Sequence, residues 1–210
     1  MRMFTEYGFR RAQVSDIAKA AGVAQGTLYL YAPSKEALFW IALQRALGEE
    51  LEGVPHEQEL LERVAEKLNL SSRLPSMFLH EQGRSASLEQ VIAEVYDALE
   101  TYAGAIRLVE RCAHDWPELA AMFYADRRPL MLKRIADYLS YGAEHGTLRK
   151  VPDIPLAARL ILETIAWFAI HRQGDADGRF YDRDAAKGAV IDALFHAYSA
   201  PSNAQRKTKK

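Results

Sequence analysis

The stretch Val14-Ser15-Asp16-Ile17-Ala18-Lys19-Ala20-Ala21-Gly22-Val23-Ala24-Gln25-Gly26-Thr27-Leu28-Tyr29-Leu30-Tyr31 decides the fold. Apolar and small residues recur at three- and four-residue spacing over 14–21 and again over 25–31, which predicts two short helices. Gly22 stands between them, where a tight turn joining crossed helices takes a left-handed backbone that glycine adopts without a Cβ penalty. Ala18 is small where the two helices must approach closely. Ile17, Val23 and Leu28 are spaced to face inward and fix the second helix on the first.

That scaffold turns Gln25, Gly26, Thr27, Tyr29 and Leu30 outward. Their chemistry suits the major groove of double-stranded DNA. A glutamine pairs with adenine or other base edges, a threonine touches a phosphate or a thymine methyl, and Gly26 leaves the helix free to come close. Tyr29 and Tyr31 carry hydroxyls for phosphates. Lys35 lies in the first turn of the following helix, where free amide groups already favour an anion. Ser34 is the expected N-cap of that helix, and Pro33 stops the preceding one from continuing.

Working outward, 49% hydrophobic and 26% charged residues over 210 positions describe a globular chain, large enough for one helical body with a small appended module. No apolar run of roughly 18 residues and no apolar leader core is read at the sequence level, so a cytoplasmic protein without a membrane span is expected. The net charge of −1 conceals an asymmetry. Residues 1–45 carry six basic side chains against three acidic ones, residues 46–205 carry 17 against 25, and the tail adds Arg206, Lys207, Lys209 and Lys210. A positive end on an acidic body orients a molecule on DNA without coating it.

The rest of the chain reads as helices with short breaks, and strands are not expected. The first helix is expected as a stub ending at Gly8, shorter than a full first helix, as either a truncated chain or a misassigned start would make it. Later helices are expected at about 34–53, 56–70, 87–113, 117–145, 154–173 and 183–199, with an irregular piece at 75–82 and a disordered basic tail over 201–210. The fold class is therefore all-α. A helix-turn-helix DNA-binding domain is placed at 1–47, and a larger helical bundle for ligand binding and dimerisation at 48–200.

The blocks Phe4-Thr-Glu-Tyr-Gly-Phe9, Val14 to Val23, Gly26-Thr-Leu-Tyr-Leu-Tyr31 and Pro33-Ser-Lys-Glu-Ala-Leu38, in this order and at these separations, closely resemble the DNA-binding domain of the TetR/AcrR family of transcriptional regulators. The resemblance covers about 35 residues. Trp116-Pro-Glu-Leu-Ala-Ala-Met-Phe-Tyr124 is similar to a helix start in the C-terminal domain of some members. It implies a homodimer that binds a pseudo-palindromic operator, usually as a repressor, and leaves it when a small, largely apolar molecule enters the C-terminal domain. Three positions depart from the family pattern. Ala24 and Gln13 stand where hydroxyl or similar caps are customary, and Ala32 replaces a phenylalanine.

The resemblance also implies that the last two helices form the dimer interface, with Leu156, Leu160, Ile161, Ile165, Trp167 and Phe168 on one and Val190, Ile191, Leu194, Phe195 and Tyr198 on the other. Effector contacts are expected where polar and aromatic groups interrupt the apolar faces of the middle helices: Tyr96, Tyr102, Arg107, His114, Phe123 and Trp167. No cofactor or metal is expected, since the six histidines form no ligand spacing and Cys112 stands alone. An enzyme fits poorly, because no nucleophile elbow, phosphate loop or metal motif is present. The residues leave open a second reading, a helical dimeric interaction module that no longer binds DNA.

Overall fold

A computed structural model describes residues 1–69, 74 and 86–201. The irregular piece expected at 75–82 and the tail from 202 onward lie outside them. The described chain is helical and contains no strand. One isolated antiparallel bridge joins Leu148 to Ser199. The helices, in chain order, are α1 (Arg2–Arg11), α2 (Val14–Ala21), α3 (Gln25–Tyr31), α4 (Lys35–Leu47), α5 (Leu60–Lys67), α6 (Leu88–Thr101), α7 (Ala103–Ala113), α8 (Pro117–Ala120), α9 (Arg128–Glu144), α10 (Ile154–Ala166) and α11 (Arg183–Tyr198). Wide π turns continue α8 over Ala121–Arg127 and α10 over Trp167–His171. The described residues form two compact units, one from residues 1–69 with 101–129 and one from residues 74, 86–100 and 130–201.

The first unit is built on an aromatic knot. Phe4, Phe39 and Trp40 are buried. Phe9 stacks on Trp116 with ring centroids 4.1 Å apart, and Phe39 meets the edges or faces of Phe4, Phe9 and Trp116 at 6.1, 6.3 and 5.3 Å. Leu43, Leu60, Val64, Leu108, Val109, Cys112 and Leu119 complete this core. Burial pushes the Cys112 thiol up to about 12, so it stays protonated as an apolar spectator. Ala32 is wholly buried. The phenylalanine customary there in the family is replaced by a methyl, and an apolar groove remains between Ala32, Leu28, Tyr31, Leu51 and Val54.

Local capping bounds α4 at both ends. The Ser34 Oγ accepts the Ala37 amide at 3.1 Å at the start of α4. Ser34→Ala should lower stability by about 1 kcal/mol in urea unfolding. α4 stops at Leu47, earlier than expected, because Gly48 takes a left-handed backbone (φ 71°) and its N–H and that of Glu49 turn back to Arg45 and Gln44. The segment beyond is held by the Trp40 indole, which donates to the Gly53 carbonyl, and by Lys67, whose ammonium sits 2.7 and 2.9 Å from Glu49 and Glu52.

The stub expected to end at Gly8 is instead a kinked helix. Gly8 breaks it with φ 84° and ψ −178°, and a short turn resumes through Arg11. The single helix expected over 87–113 is likewise two, parted at Tyr102, whose φ of −98° and ψ of 10° leave the helical region.

In the second unit α10 turns one face inward. Ala157, Ala158, Ile161, Leu162 and Ile165 are buried, as are Ala169 and Ile170 in its π extension. Residues Ile154–Gly174 form a helical run of mean hydropathy 1.4, which corrects the expectation that no segment would be both long and apolar enough to span a bilayer. Its buried face packs on protein, and its outer face carries an Arg159–Glu163 pair.

Asp153 caps α10 through the Leu156 amide, and Asp182 caps α11 through the Asp184 and Ala185 amides. The Ala185 amide and the other backbone donors at that cap hold the Asp182 carboxyl below its ordinary range. The buried Arg172 donates to the Phe168 and Tyr181 carbonyls, pinning the turn between α10 and α11. Arg183 bridges to Glu100, and Lys187 to Asp97. Several residues expected at a dimer interface, Ile161, Ile165, Val190, Leu194 and Tyr198, are buried inside this unit. Their volume fills the subunit core.

Candidate nucleic-acid interface

The turn between α2 and α3 forms as its glycine requires. Gly22 has φ 71° and ψ 24°, its N–H reaches the carbonyls of Ala18 and Lys19, and the Val23 N–H donates to Ala18 at 3.1 Å. Ala18 is buried, and Ile17 and Leu28 pack against the first unit's core. Val23 does not face inward as expected. It is 40% exposed, because the left-handed turn swings it away from the crossing. Neither Gln13 nor Ala24 makes a side-chain cap.

Only Leu28 of α3 turns toward the protein. Gln25, Gly26, Thr27, Tyr29, Leu30 and Tyr31 are all exposed. Leu30 is 83% and Tyr31 74% exposed, an uncommon cost for an apolar pair in a seven-residue helix. A Cβ added at Gly26 would meet nothing within 4 Å, so packing within the chain gives no reason for a glycine there. The helix carries no charge of its own, and Arg10 and Arg11 on α1 and Lys19 on α2 are exposed basic residues of the same unit.

Lys35 is placed differently from the exposed phosphate contact that the sequence suggests. Its ammonium donates to the Arg10 carbonyl at 2.9 Å and lies 5.0 Å from the centre of the Phe9 ring. Burial pulls its pKa down, against the opposing pull of Asp115.

The six effector candidates divide between the units. In the first, Tyr102 is the N-cap residue of α7, Arg107 lies half-buried along it and His114 is exposed at its C-cap, while Phe123 is half-buried in the π turn with its ring edge-on to Tyr124 at 5.0 Å. Tyr102 and His114, at opposite ends of an 11-residue helix, are about 18 Å apart along its axis and do not share one small site. In the second unit Tyr96 is fully buried and its hydroxyl donates to the Phe168 carbonyl at 3.4 Å, whereas Trp167 is 37% exposed with its ring across that of Phe168.

Two residues absent from the sequence reading, Arg111 and Asp115, join α1 to the end of α7. Both bind the backbone of α1 about 105 positions away, a separation that no local pattern reveals.

A helix-turn-helix whose second helix is presented bare, in a unit that carries exposed basic residues, defines a DNA-binding regulator. Residues 1–40 match the family described as bacterial regulatory proteins, tetR family, and residues 87–200, over half of the chain, match the C-terminal domain of AefR-like transcriptional repressors. The chain belongs to the TetR family of transcriptional regulators.

It is 35% identical over 71 residues to the fatty acid metabolism regulator protein of Bacillus subtilis (strain 168), a match covering 34% of this chain and 36% of that protein, so that it spans about a third of the relative's length. The structure of the ketosteroid transcriptional regulator KstR2 of Mycobacterium tuberculosis is similar at a TM-score of 0.59 and 20% identity, over 95% of this chain and 91% of that one. AibR in complex with isovaleryl coenzyme A and operator DNA is similar at 0.56 and 17% identity, over 92% of each chain.

Proposed function

We propose that this chain is a ligand-responsive repressor that binds a pseudo-palindromic operator as a homodimer in the cytoplasm. The observation that carries the reading is α3, a helix with six of its residues bare to solvent on a glycine turn. Gln25, Gly26 and Thr27 meet base edges. Tyr29, Leu30 and Tyr31 flank them, and Lys35 contributes at the adjoining helix start. The 1–47 segment acts as the reading domain and 48–200 as the ligand-binding and dimerising one.

The partner surface is the outer face of α10 and α11. Leu156, Leu160 and Trp167 are 55%, 54% and 37% exposed. On α11, Ala185, Ala189, Ala193 and Ala197 form an exposed small-residue line at four-residue spacing, which allows a second helix to approach closely. Leu160→Glu should convert the dimer to monomer in sedimentation velocity, while the subunit remains helical, because an uncompensated charge would be buried between copies. A small, largely apolar effector is assigned to the middle helices, its contacts drawn from the half-buried candidates of the first unit, Tyr102, Arg107 and Phe123. It would act by binding the DNA-free conformer more tightly.

Footprinting on a duplex selected from a random pool tests the reading. Two protected half-sites centred about 34–36 Å apart, or a further helical turn beyond, are expected. Dissociation on adding isovaleryl coenzyme A or a longer acyl thioester would identify the effector class. A single asymmetric half-site, or no selection at all, would favour the interaction module instead.

A further inference from the structure

The end of α7 grips α1 at its kink. Gly8 interrupts α1, so the helix before it ends with free carbonyls and the turn after it begins with free amides. Both are met from α7 and the residues just beyond it. The Arg111 guanidinium donates from Nη2 to the Glu6 carbonyl at 3.1 Å. The Asp115 carboxylate accepts the Phe9 amide at Oδ1 (3.0 Å) and the Arg10 amide at Oδ2 (3.1 Å). The fit leaves no slack, since a Cβ at Gly8 would fall 2.9 Å from Asp115 Oδ2 and 3.4 Å from the Arg111 carbonyl. The contact continues toward the reading helix. The Arg10 carbonyl holds Lys35 Nζ at 2.9 Å, and Lys35 opens α4 just after α3 ends.

We infer that Arg111 and Asp115 are positioning residues for DNA recognition, fixing through the Gly8 kink and the Arg10–Lys35 link the angle at which α3 meets the groove. The inference rests on the DNA-binding reading above. Apolar packing of α1 on α7 alone would tolerate a slide of a fraction of a turn. Charge-assisted hydrogen bonds to three named backbone groups do not. α7 begins beside Tyr102 and carries Arg107, so an effector that displaces this helix pulls directly on the clamp.

The test titrates full-length wild type, Asp115→Asn, Arg111→Ala and Arg111→Lys against a duplex selected by the wild type from a random pool, and against a scrambled duplex of equal length. Asparagine keeps one acceptor but opposes a donor to the second amide. Asp115→Asn should therefore bind the selected duplex about tenfold more weakly, the worth of a charge-assisted hydrogen bond, while binding to the scrambled duplex, which reads phosphates alone, shifts by less than about twofold.

Arg111→Ala should behave the same way and carries the test if the asparagine variant does not fold. Arg111→Lys, which still donates, should stay near wild type. Equal loss on both duplexes together with a fallen melting temperature would overturn the inference in favour of a merely structural role, as would undiminished selectivity in the two disruptive variants. Failure of the wild type to select any duplex would instead overturn the DNA-binding reading on which the inference depends.

Discussion

Alanine at both Gln25 and Tyr29 is expected to weaken binding to the selected duplex by about 2–4 kcal/mol, with the protein's melting temperature nearly unchanged. The two residues lie one helical turn apart on the bare face of α3, and neither belongs to the buried core. Gln25 offers a donor and an acceptor to a base edge, while Tyr29 reaches past it to the backbone. The expected signature is therefore split: relaxed sequence preference from Gln25→Ala alone, and a more uniform loss across sequences from Tyr29→Ala alone. Equilibrium anisotropy with each single variant separates the two. A drop in thermal stability with affinity unchanged would mean that these side chains serve packing.

Phe39→Ala is expected to cost about 3–5 kcal/mol, a large share of the roughly 5–15 kcal/mol that holds a typical domain together. Phe39 has no exposed surface and is the ring on which Phe4, Phe9 and Trp116 converge. Removing it opens a cavity where α1, α4 and the start of α8 meet, and none of the other three rings can fill the space without giving up its own stacking. Denaturant unfolding followed by tryptophan fluorescence measures the loss, with the midpoint shifted and the slope preserved. A cost below about 1 kcal/mol would show that the site collapses freely and that the knot is not the core of this unit.

The sequence makes the helix-turn-helix legible because its determinants are local. Gly22 sets the turn, the periodicity on either side sets α2 and α3, and the structure begins and ends both helices at the expected residues. All-α architecture followed from periodicity in the same way. What escaped the sequence depends on distant partners. The turn after Gly8 exists because Asp115 receives its amides from 106 positions away. Tyr102 parts α6 from α7 with neither proline nor glycine at the break, and Leu194 and Tyr198 looked like interface residues because an apolar face does not state whether its own subunit or another will cover it. Lys35 reads in sequence as a phosphate contact, and only the fold brings the Arg10 carbonyl beside its ammonium. The effector candidates rest on residue type along several helices, and residue type alone does not say which of them share a cavity.

The central claim, that α3 reads DNA, is tested most directly by the dissociation constant of the wild-type protein for a duplex selected from a random pool, beside a scrambled control, at 50 and 200 mM salt. The account predicts a preference for the selected duplex of about 10³-fold or more, with affinity for both falling steeply as salt rises. Equal affinity for the two duplexes at either salt concentration would contradict it.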